Sequence, residues 1–269
     1  MRSITAEIFA IGSELCFGRI QDVNSSWIAD QLTKLGVYVQ RITCIPDDME
    51  SVTSALRESL SRRPTFLFLT GGLGPTDDDL TIEALSIVTA IPTQVSSDAL
   101  DWMAEKERVP VKELDRRLHK MAMSLAKADC IRNPTGWAPA THLRLNHTEV
   151  FALPGPPIEV RGFFNECVRR AIEDRAGGRS CFARFIVAMY EEELSSIVHQ
   201  VMDEEEGVYV KTLVSEYKPD VGLPVDVLVF SDNEHECAQK MERVVRRLSE
   251  LISSHGRILK PLDSGCGDR

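Results

Sequence analysis

The sequence TFLFLTGGLGPTDDDLT, residues 65 to 81, decides the fold. Its first six residues are apolar, aromatic or threonine, which is typical of a short strand buried on both faces of a parallel sheet. Two glycines follow at once, so we predict that the strand ends at Gly71. Apolar residues recur at helical spacing after the three aspartates. The stretch therefore predicts a strand, a glycine-rich loop and a helix, the repeating unit of an α/β sheet.

The loop of residues 71–79, named here the glycine loop, has the features of a phosphate site. Its glycines allow positive φ angles and carry no Cβ atom, so backbone amides can approach a bulky anion closely. Thr76 and Asp79 have the spacing of a capping box, which would open the helix at Asp79. A helix N-terminus adds the positive end of its dipole. We therefore predict phosphate binding by Gly71, Gly72, Leu73, Gly74, Pro75 and Thr76.

Three carboxylates, Asp77, Asp78 and Asp79, stand beside the predicted phosphate. They would repel it unless a cation lies between them. Mg²⁺ commonly binds one or two carboxylates together with substrate phosphates, so the pattern favours metal-assisted phosphoryl or nucleotidyl chemistry. The alternative is that the acids only cap the helix and complement its dipole.

The segments before this stretch repeat the same order of strand and helix. Residues 5 to 11 and 37 to 45 are predicted strands, and each is followed by a polar loop, GSEL after the first and Pro46-Asp47 after the second. Asn24 has the position of a helix N-cap, and Asp47 with Glu50 would cap the next helix. Ligands of parallel sheets bind beyond the carboxyl ends of the strands. We therefore expect these loops and the glycine loop to meet at one edge.

The chain between the glycine loop and residue 160 contributes further candidates. Residues 97–127 contain two helical stretches and are interpreted as an insertion beside the pocket. In the turn-rich loop NPTGWAP, Asn133 and Trp137 could flank a base, although a Trp in a turn also serves as a packing anchor. In LPGPPIEV, Pro156 and Pro157 suit the first turn of a helix whose amides could face a second anion.

A glycine pair at 177 and 178 marks a predicted domain boundary. Residues 1–176 form the first predicted domain, and residues 177–256 follow the order strand, helix, two strands, helix, which indicates a small α+β domain. Residues 257–269 are polar and rich in glycine and are predicted to be a flexible tail.

Composition restricts the classes of partner. The 269 residues include 31 Lys and Arg against 41 Asp and Glu, a net charge of −10, so a nucleic-acid partner is not expected. The chain has no signal-peptide pattern and no apolar run long enough to span a membrane. We expect a cytoplasmic protein that does not bind membranes and takes a small molecule as its ligand.

Four motifs occur in a familiar order: GSELCFGRIQDVNSSW, TGGLGPTDDDLT, NPTGWAP and LPGPPIEV. Together they resemble the N-terminal domain of the competence/damage-inducible protein A (CinA) family, which is related to the molybdopterin-binding proteins MoaB and MogA. The resemblance covers residues 4 to 172. Residues 178 to 255 resemble the small KH-like domain that follows in that family, without its GxxG loop. The resemblance implies a three-layer α/β/α sandwich with a mostly parallel sheet, a small α+β domain and a homo-oligomer.

The resemblance also assigns candidate roles, residue by residue. Asp47, Asp78 and Asp79 match acids of the family and are the candidate catalytic residues. Glu14, Asp47 and Asp79 are the candidate metal ligands, with Mg²⁺ or another divalent cation such as Co²⁺ as the ion. Candidate ligand-binding residues outside the glycine loop are Asn24, Gly155 and Pro156. Asp77 departs from the family, which often carries Lys there, and the chain ends before the family's deamidase domain, so deamidase activity is not expected.

Three functional hypotheses follow from the resemblance. The first is a metal-dependent nucleotide pyrophosphatase that hydrolyses ADP-ribose or a related dinucleotide. The second is a molybdopterin-binding or molybdopterin adenylyltransferase-like protein. The third is a nucleotide-binding regulator without catalytic activity. The residues alone do not choose between the ligands, because specificity depends on side chains that several loops bring together.

Overall fold

The structure is a computed structural model that describes residues 4–175 and 178–263. The chain forms two compact units. The first consists of the chain up to Leu32 together with Tyr38–Arg175, and the second of Thr33–Val37 together with the chain after Arg175. Within the described ranges, no helix is both long enough and apolar enough to cross a membrane.

A six-stranded sheet in the order β2-β1-β3-β8-β7-β6 forms the centre of the first unit, and β4 pairs separately with β5. The strands are β1 (Thr5–Ile11), β2 (Tyr38–Ile45), β3 (Phe66–Thr70), β4 (Thr93–Val95), β5 (Met123–Leu125), β6 (Asp129–Ile131), β7 (Ala140–Arg144) and β8 (Glu149–Leu153). The first four strands of the large sheet are parallel, whereas β7 is antiparallel to both of its neighbours, β8 and β6. The predicted α/β class with a mostly parallel sheet is confirmed.

Helices cover both faces of this sheet. They are α1 (Ser13–Cys16), α2 (Val23–Lys34), α3 (Met49–Arg62), α4 (Thr81–Thr89), α5 (Ser97–Glu107), α6 (Arg116–Met121), α7 (Pro157–Phe163) and α8 (Arg169–Arg175). A 3-10 turn (Val111–Glu113) precedes α6, and a π-helical turn (Phe164–Val168) joins α7 to α8. The helices α5 and α6 lie in the excursion between β4 and β5, within the stretch predicted to be an insertion.

The alternation of side chains along β3 explains the three layers. Every residue of β3 is buried, as the apolar run predicts. Leu67 and Leu69 belong to one core with residues of α3 and α4. Phe66 and Phe68 point to the opposite face because side chains alternate along a strand, and the ring of Phe68 stacks on that of Phe151, with centroids 5.3 Å apart.

The second unit has its own antiparallel sheet, in the order β10-β11-β9-β12. Its elements are β9 (Arg179–Val187), α9 (Glu191–Glu204), β10 (Val208–Thr212), β11 (Leu223–Ser231), α10 (Glu234–Ser254) and β12 (Leu259–Asp263), with a 3-10 turn at Val214–Glu216. One face of this sheet packs with α9 and α10 in a separate core that includes Val227 and Leu248.

The strand β12 was not predicted. This strand lies inside the stretch that the sequence predicts to be a flexible tail, and it pairs with β9. The prediction is therefore wrong for these five residues. Leu259 extends the apolar side of the sheet. The strand could not be predicted from the sequence because glycine and polar residues flank this leucine. Residues 264–269 of the predicted tail lie outside the described residues.

Candidate functional site

The candidate site lies at the carboxyl ends of four parallel strands. Because β2, β1, β3 and β8 are neighbours in that order, the loops that follow them lie side by side. Backbone bonds join these loops directly: Gly12 N donates to Ile45 O at 2.9 Å, and Gly71 N donates to Leu153 O at 3.0 Å. The structure therefore brings together the three loops that were expected to meet, and adds the loop after β8.

Asp47 fixes the loop after β2 to the loop after β1. Its Oδ2 accepts a hydrogen bond from Ser13 N at 2.6 Å, and Ser13 Oγ accepts one from Asp47 N at 3.1 Å. The prediction that Asp47 and Glu50 cap the next helix is wrong, because Asp48 is the N-cap of α3 and accepts from Ser51 N at 2.8 Å. Asp47 instead joins the loops after β1 and β2 at the edge of the site. Glu14, in the short helix α1, is exposed.

Glycine is required at the start of the glycine loop. Gly71 and Gly72 have positive φ angles of 94° and 66°. A Cβ atom on Gly71 would lie 2.2 Å from Ile11 O, and one on Gly72 would lie 2.2 Å from Thr81 Oγ1. Thr81 closes the loop from the helix side, since its hydroxyl donates to Gly71 O at 2.8 Å and its amide donates to Gly72 O at 3.1 Å. The loop is held in one conformation by contacts that no larger residue allows.

Three consecutive backbone amides of this loop lack a hydrogen-bond partner in the protein. The N–H groups of Gly72, Leu73 and Gly74 donate to no acceptor among the described residues. The same three residues line a small cleft together with two acids, Asp79 and Glu83, and one cation, Lys120. The cleft has a volume of about 10 Å³, which is room for one water molecule. Free amides and an ammonium group at one cleft are the chemistry of an anion site.

Thr76 and Asp79 do not form the predicted capping box. Asp79 Oδ2 accepts from Thr76 N at 2.8 Å and from Thr76 Oγ1 at 2.7 Å, which closes a turn before the helix. The helix α4 begins at Thr81, and its N-cap, Leu80, makes no side-chain capping bond. The prediction that these two residues open the helix at Asp79 is therefore wrong, although they do bond to each other. Pro75, Thr76 and Asp79 shape the loop.

Lys120 supplies the cation that the sequence analysis missed. Its Nζ donates to the carbonyl oxygen of Thr76, which lies 44 residues earlier in the chain. The hydrogen bond from Thr76 Oγ1, with the nearby Lys120 charge as a smaller contribution, holds the pKa of the Asp78 carboxyl below its usual range. Asp77 and Asp78 are exposed, and Asp79 is half-buried. Nothing in the local sequence around Lys120 indicates this role, because only the fold brings α6 to the loop.

Asn24 reaches the fourth loop of the site. Its Nδ2 donates to Gly155 O at 2.7 Å. The prediction that Asn24 caps its helix is wrong, because Asp22 makes the capping bond and accepts from Ser25 N at 3.0 Å. Asn24 Oδ1 is buried and has no partner among the described residues. Such an atom is a candidate for a ligand hydrogen bond, since buried polar atoms are normally satisfied.

The loop after β8 lies against the glycine loop. A Cβ atom on Gly155 would be in ordinary contact with Gly71 Cα, 3.8 Å away. Pro156 is the N-cap of α7 and Pro157 its first residue, as predicted from the proline pair. Glu159, in the first turn of α7, accepts from Asn133 Nδ2 at 2.6 Å. The loop of the third motif is therefore tied to this helix, and Glu159 is a further residue that the sequence analysis did not identify.

The predicted metal ligands are not assembled as a set. Within residues 4–175 and 178–263, no group of three His, Cys, Asp or Glu side chains is arranged to hold a metal ion. Asp47 bonds to Ser13 and Asp79 bonds to Thr76, so each carboxylate has a structural partner. A divalent cation at this edge would therefore need ligand phosphate oxygens to complete its coordination. Its binding stays a prediction.

Comparison with known proteins identifies the family of this chain. Residues 7–174 match a protein family described as "Probable molybdopterin binding domain". This chain belongs to that family. The matched residues contain every loop of the candidate site. A protein of Metallosphaera sedula is 32% identical over 257 residues, which cover 95% of this chain and 97% of that protein.

Two further relatives bear the CinA name. A CinA-like protein of Thermosipho melanesiensis is 29% identical over 257 residues, covering 92% of this chain and 59% of that protein. A crystal structure of CinA from Thermoplasma acidophilum, described as having unknown function, matches 64% of this chain and 99% of its own with a TM-score of 0.60 and 28% identity. The resemblance inferred from the four motifs is confirmed.

The family description bears on the three functional hypotheses. It names molybdopterin binding, which was the second hypothesis, and says nothing of ADP-ribose hydrolysis. Membership of this family therefore supports the second hypothesis, a molybdopterin-binding protein, better than the first, a nucleotide pyrophosphatase. The roles of Asp47, Asp78 and Asp79 in catalysis stay predictions.

Proposed function

We propose that this protein binds a phosphorylated pterin of the molybdopterin type, with the ligand phosphate at the glycine loop. The observation that carries the proposal is the set of three amides, on Gly72, Leu73 and Gly74, that have no acceptor among the described residues and share a cleft with Lys120. The family description supports a pterin as the rest of the ligand.

Lys120 controls entry of the phosphate in this proposal. The cleft of about 10 Å³ is too small for a phosphate group while Lys120 donates to Thr76 O. A phosphate oxygen would replace that carbonyl as the acceptor, so the ammonium moves outward and keeps its hydrogen bond. The exchange replaces a neutral acceptor by an anion, so the ammonium gains the attraction between opposite charges in addition to its hydrogen bond.

The exposed acids set a condition on this site. Asp77 and Asp78 lie on the same loop as the amides and repel a phosphate in the absence of a cation. Asp77 or Asp78 would hold a Mg²⁺ ion, which usually keeps only one or two protein ligands, and its charge would offset the repulsion of the phosphate. Binding is therefore expected to strengthen when Mg²⁺ is added.

The test is retention of molybdopterin. The full chain is mixed anaerobically with molybdopterin released from a molybdoenzyme, passed through a desalting column, and assayed for pterin fluorescence after oxidation. Lys120→Met is expected to weaken retention by about tenfold or more, because a hydrogen bond to a charged group contributes about 1.5–3 kcal/mol. Lys127→Met is the matched control, since Lys127 is exposed and lies outside the cleft.

Three results would decide the matter. Retention that falls only in the Lys120 variant supports the proposal. Absence of retention in the unaltered protein, or equal retention in both variants, contradicts it. A parallel incubation with ADP-ribose and Mg²⁺ tests the first hypothesis. Release of AMP and ribose 5-phosphate would show that the protein hydrolyses ADP-ribose.

A further inference from the structure

A second and larger cavity lies in the first unit, between α5 and residues 132–137. It has a volume of about 400 Å³ and shares no lining residue with the cleft of the glycine loop. Small-molecule sites in proteins usually measure about 300–1,000 Å³. The most informative lining residues are Trp102, Met103, Lys106, Arg108, Arg132 and Trp137. We name it the tryptophan cavity.

Two indole rings give this cavity an aromatic wall. Trp102 and Trp137 are both half-buried and pack against the same small core, which includes Met103 and Leu114. Both side chains also line the cavity. Aromatic side chains held in this way offer a flat apolar surface on which a planar ring stacks.

The charges around the cavity are mostly positive. Three cations, Lys106, Arg108 and Arg132, line it against one acid, Glu105. Lys106 Nζ lies 4.3 Å from the centroid of the Trp137 ring and donates to Gly136 O at 2.6 Å. Arg132 Nη2 lies 3.1 Å from Glu105 Oε2, and both of these side chains are more than half exposed. In a chain with a net charge of −10, this local excess of cations favours an anionic ligand.

The loop that carries Trp137 is fixed by Asn133. Asn133 Oδ1 accepts from Gly136 N at 2.6 Å and from Thr135 N at 3.0 Å, and Nδ2 donates to Ala138 O at 2.7 Å. The side-chain amide of Asn133 is thus used by the loop and by Glu159 of α7. The base contact that the sequence analysis considered stays a prediction. The function of Asn133 here is to hold the cavity wall in place before a ligand arrives, which lowers the entropy cost of binding.

We propose that the tryptophan cavity binds a planar heteroaromatic ring that carries a phosphate or carboxylate group. The ring stacks on the indole of Trp102, beside the Lys106 ammonium that covers the Trp137 ring. The anion exchanges for Gly136 O and Glu105 as the acceptor of Lys106 and Arg132. The site is distinct from the glycine loop and does not depend on the proposed molybdopterin binding.

Intrinsic fluorescence tests this proposal, because the chain has three Trp and two of them line the cavity. Trp27→Phe removes the third, whose ring contacts Phe164 edge-on at 5.2 Å. The full chain with this change is titrated with AMP, which has both a planar ring and a phosphate. Saturable quenching is expected with AMP. Adenosine and inorganic phosphate should each have a Kd at least about tenfold higher than that of AMP, a difference of about 1.4 kcal/mol or more in binding free energy.

Charge variants in the same background locate the binding. Lys106→Met with Arg132→Met should raise the Kd for AMP by about tenfold or more. Lys112→Met with Arg117→Met is the matched control, since it removes the same two charges outside the cavity, and Arg117 likewise has an acidic neighbour, Asp115, at 3.5 Å. The control should leave the Kd unchanged.

The Lys120→Met variant separates this site from the glycine loop. Unchanged quenching by AMP in that variant supports an independent cavity. Loss of quenching would overturn the inference, because AMP would then be bound at the glycine loop. Equal Kd values in the two double variants, or no saturable quenching at all, would overturn it as well. Absence of molybdopterin retention in the unaltered protein, with quenching by AMP intact, would contradict only the proposed function.

Discussion

Asp79 illustrates how one carboxylate can have a structural and a functional explanation at once. Its Oδ2 accepts two hydrogen bonds from Thr76, and Gly74 leaves room for it, since a Cβ atom there would lie 2.6 Å from that oxygen. An asparagine at this position would lose one acceptor oxygen and place an amide group in the turn. Loss of activity in Asp79→Asn would therefore report a distorted loop as readily as a missing catalytic charge.

His142 is a buried titratable group on β7, remote in sequence from the glycine loop. Its Nε2 lies 2.9 Å from Glu149 Oε2, its Nδ1 lies 3.8 Å from Asp129 Oδ2, and its ring stacks on Phe151. Arg175 and Arg144 complete the charged groups around it. Burial lowers the pKa of His142 from its usual value of 6.5, and the bond to Glu149 offsets only part of this effect.

The lowered pKa of His142 predicts loss of stability in mild acid. As the pH falls below 6.5, the unfolded chain takes up a proton at this residue before the folded chain does, so the free energy of unfolding decreases. We expect the melting temperature to fall between pH 7.5 and pH 5.5, and to fall less in His142→Gln. His199→Gln, at an exposed position of α9, should keep the full decrease. Equal decreases in all three proteins would contradict the assignment.

The glycine loop as an element depends on backbone conformation more than on side chains. Gly72 and Gly18 both have φ angles of 66°, but a Cβ atom on Gly18 would have nothing within 4 Å, whereas one on Gly72 would lie 2.2 Å from Thr81 Oγ1. Alanine at either position costs about 1 kcal/mol for the left-handed backbone. Only the clash at Gly72 forces the loop to move away from α4.

Comparison of Gly72→Ala with Gly18→Ala therefore isolates the loop's shape. We expect Gly72→Ala to lower the free energy of unfolding by about 2 kcal/mol or more and to abolish molybdopterin retention. Gly18→Ala should cost about 1 kcal/mol and retain the ligand. Urea unfolding and the retention assay measure the two effects. Retention that survives in Gly72→Ala would show that the amides of this loop are not the phosphate site.

The elements that the sequence predicts well are those with local signals. The buried run of β3, the glycines after it and the proline start of α7 each contain their own evidence within a few residues. Helix caps were harder because candidate capping residues stand within two positions of each other: Asp48 rather than Asp47 caps α3, and Asp22 rather than Asn24 caps α2. Lys120 and Glu159 could not be predicted, since their partners lie 44 and 26 residues away.

At the scale of the whole molecule, the two cavities described above belong to the first unit. All the candidate site residues belong to it as well. The second unit has a core of its own, in which Leu248 of α10 is fully buried. Leu56 of α3 has the same burial in the first unit, on the face of the sheet that carries Leu67 and Leu69. The two leucines therefore allow the two cores to be weakened one at a time.

We expect the core of the first unit alone to govern ligand binding. Leu56→Ala and Leu248→Ala should each destabilise its own unit by about 2–5 kcal/mol, because both remove a fully buried side chain. Bound molybdopterin stabilises only the folded form of the unit that holds it. In a urea titration, Leu56→Ala should therefore release the ligand at lower urea than the unaltered protein does. Leu248→Ala should release it at the same urea concentration, and an equal shift in both variants would show that the stability of the second unit is coupled to the site.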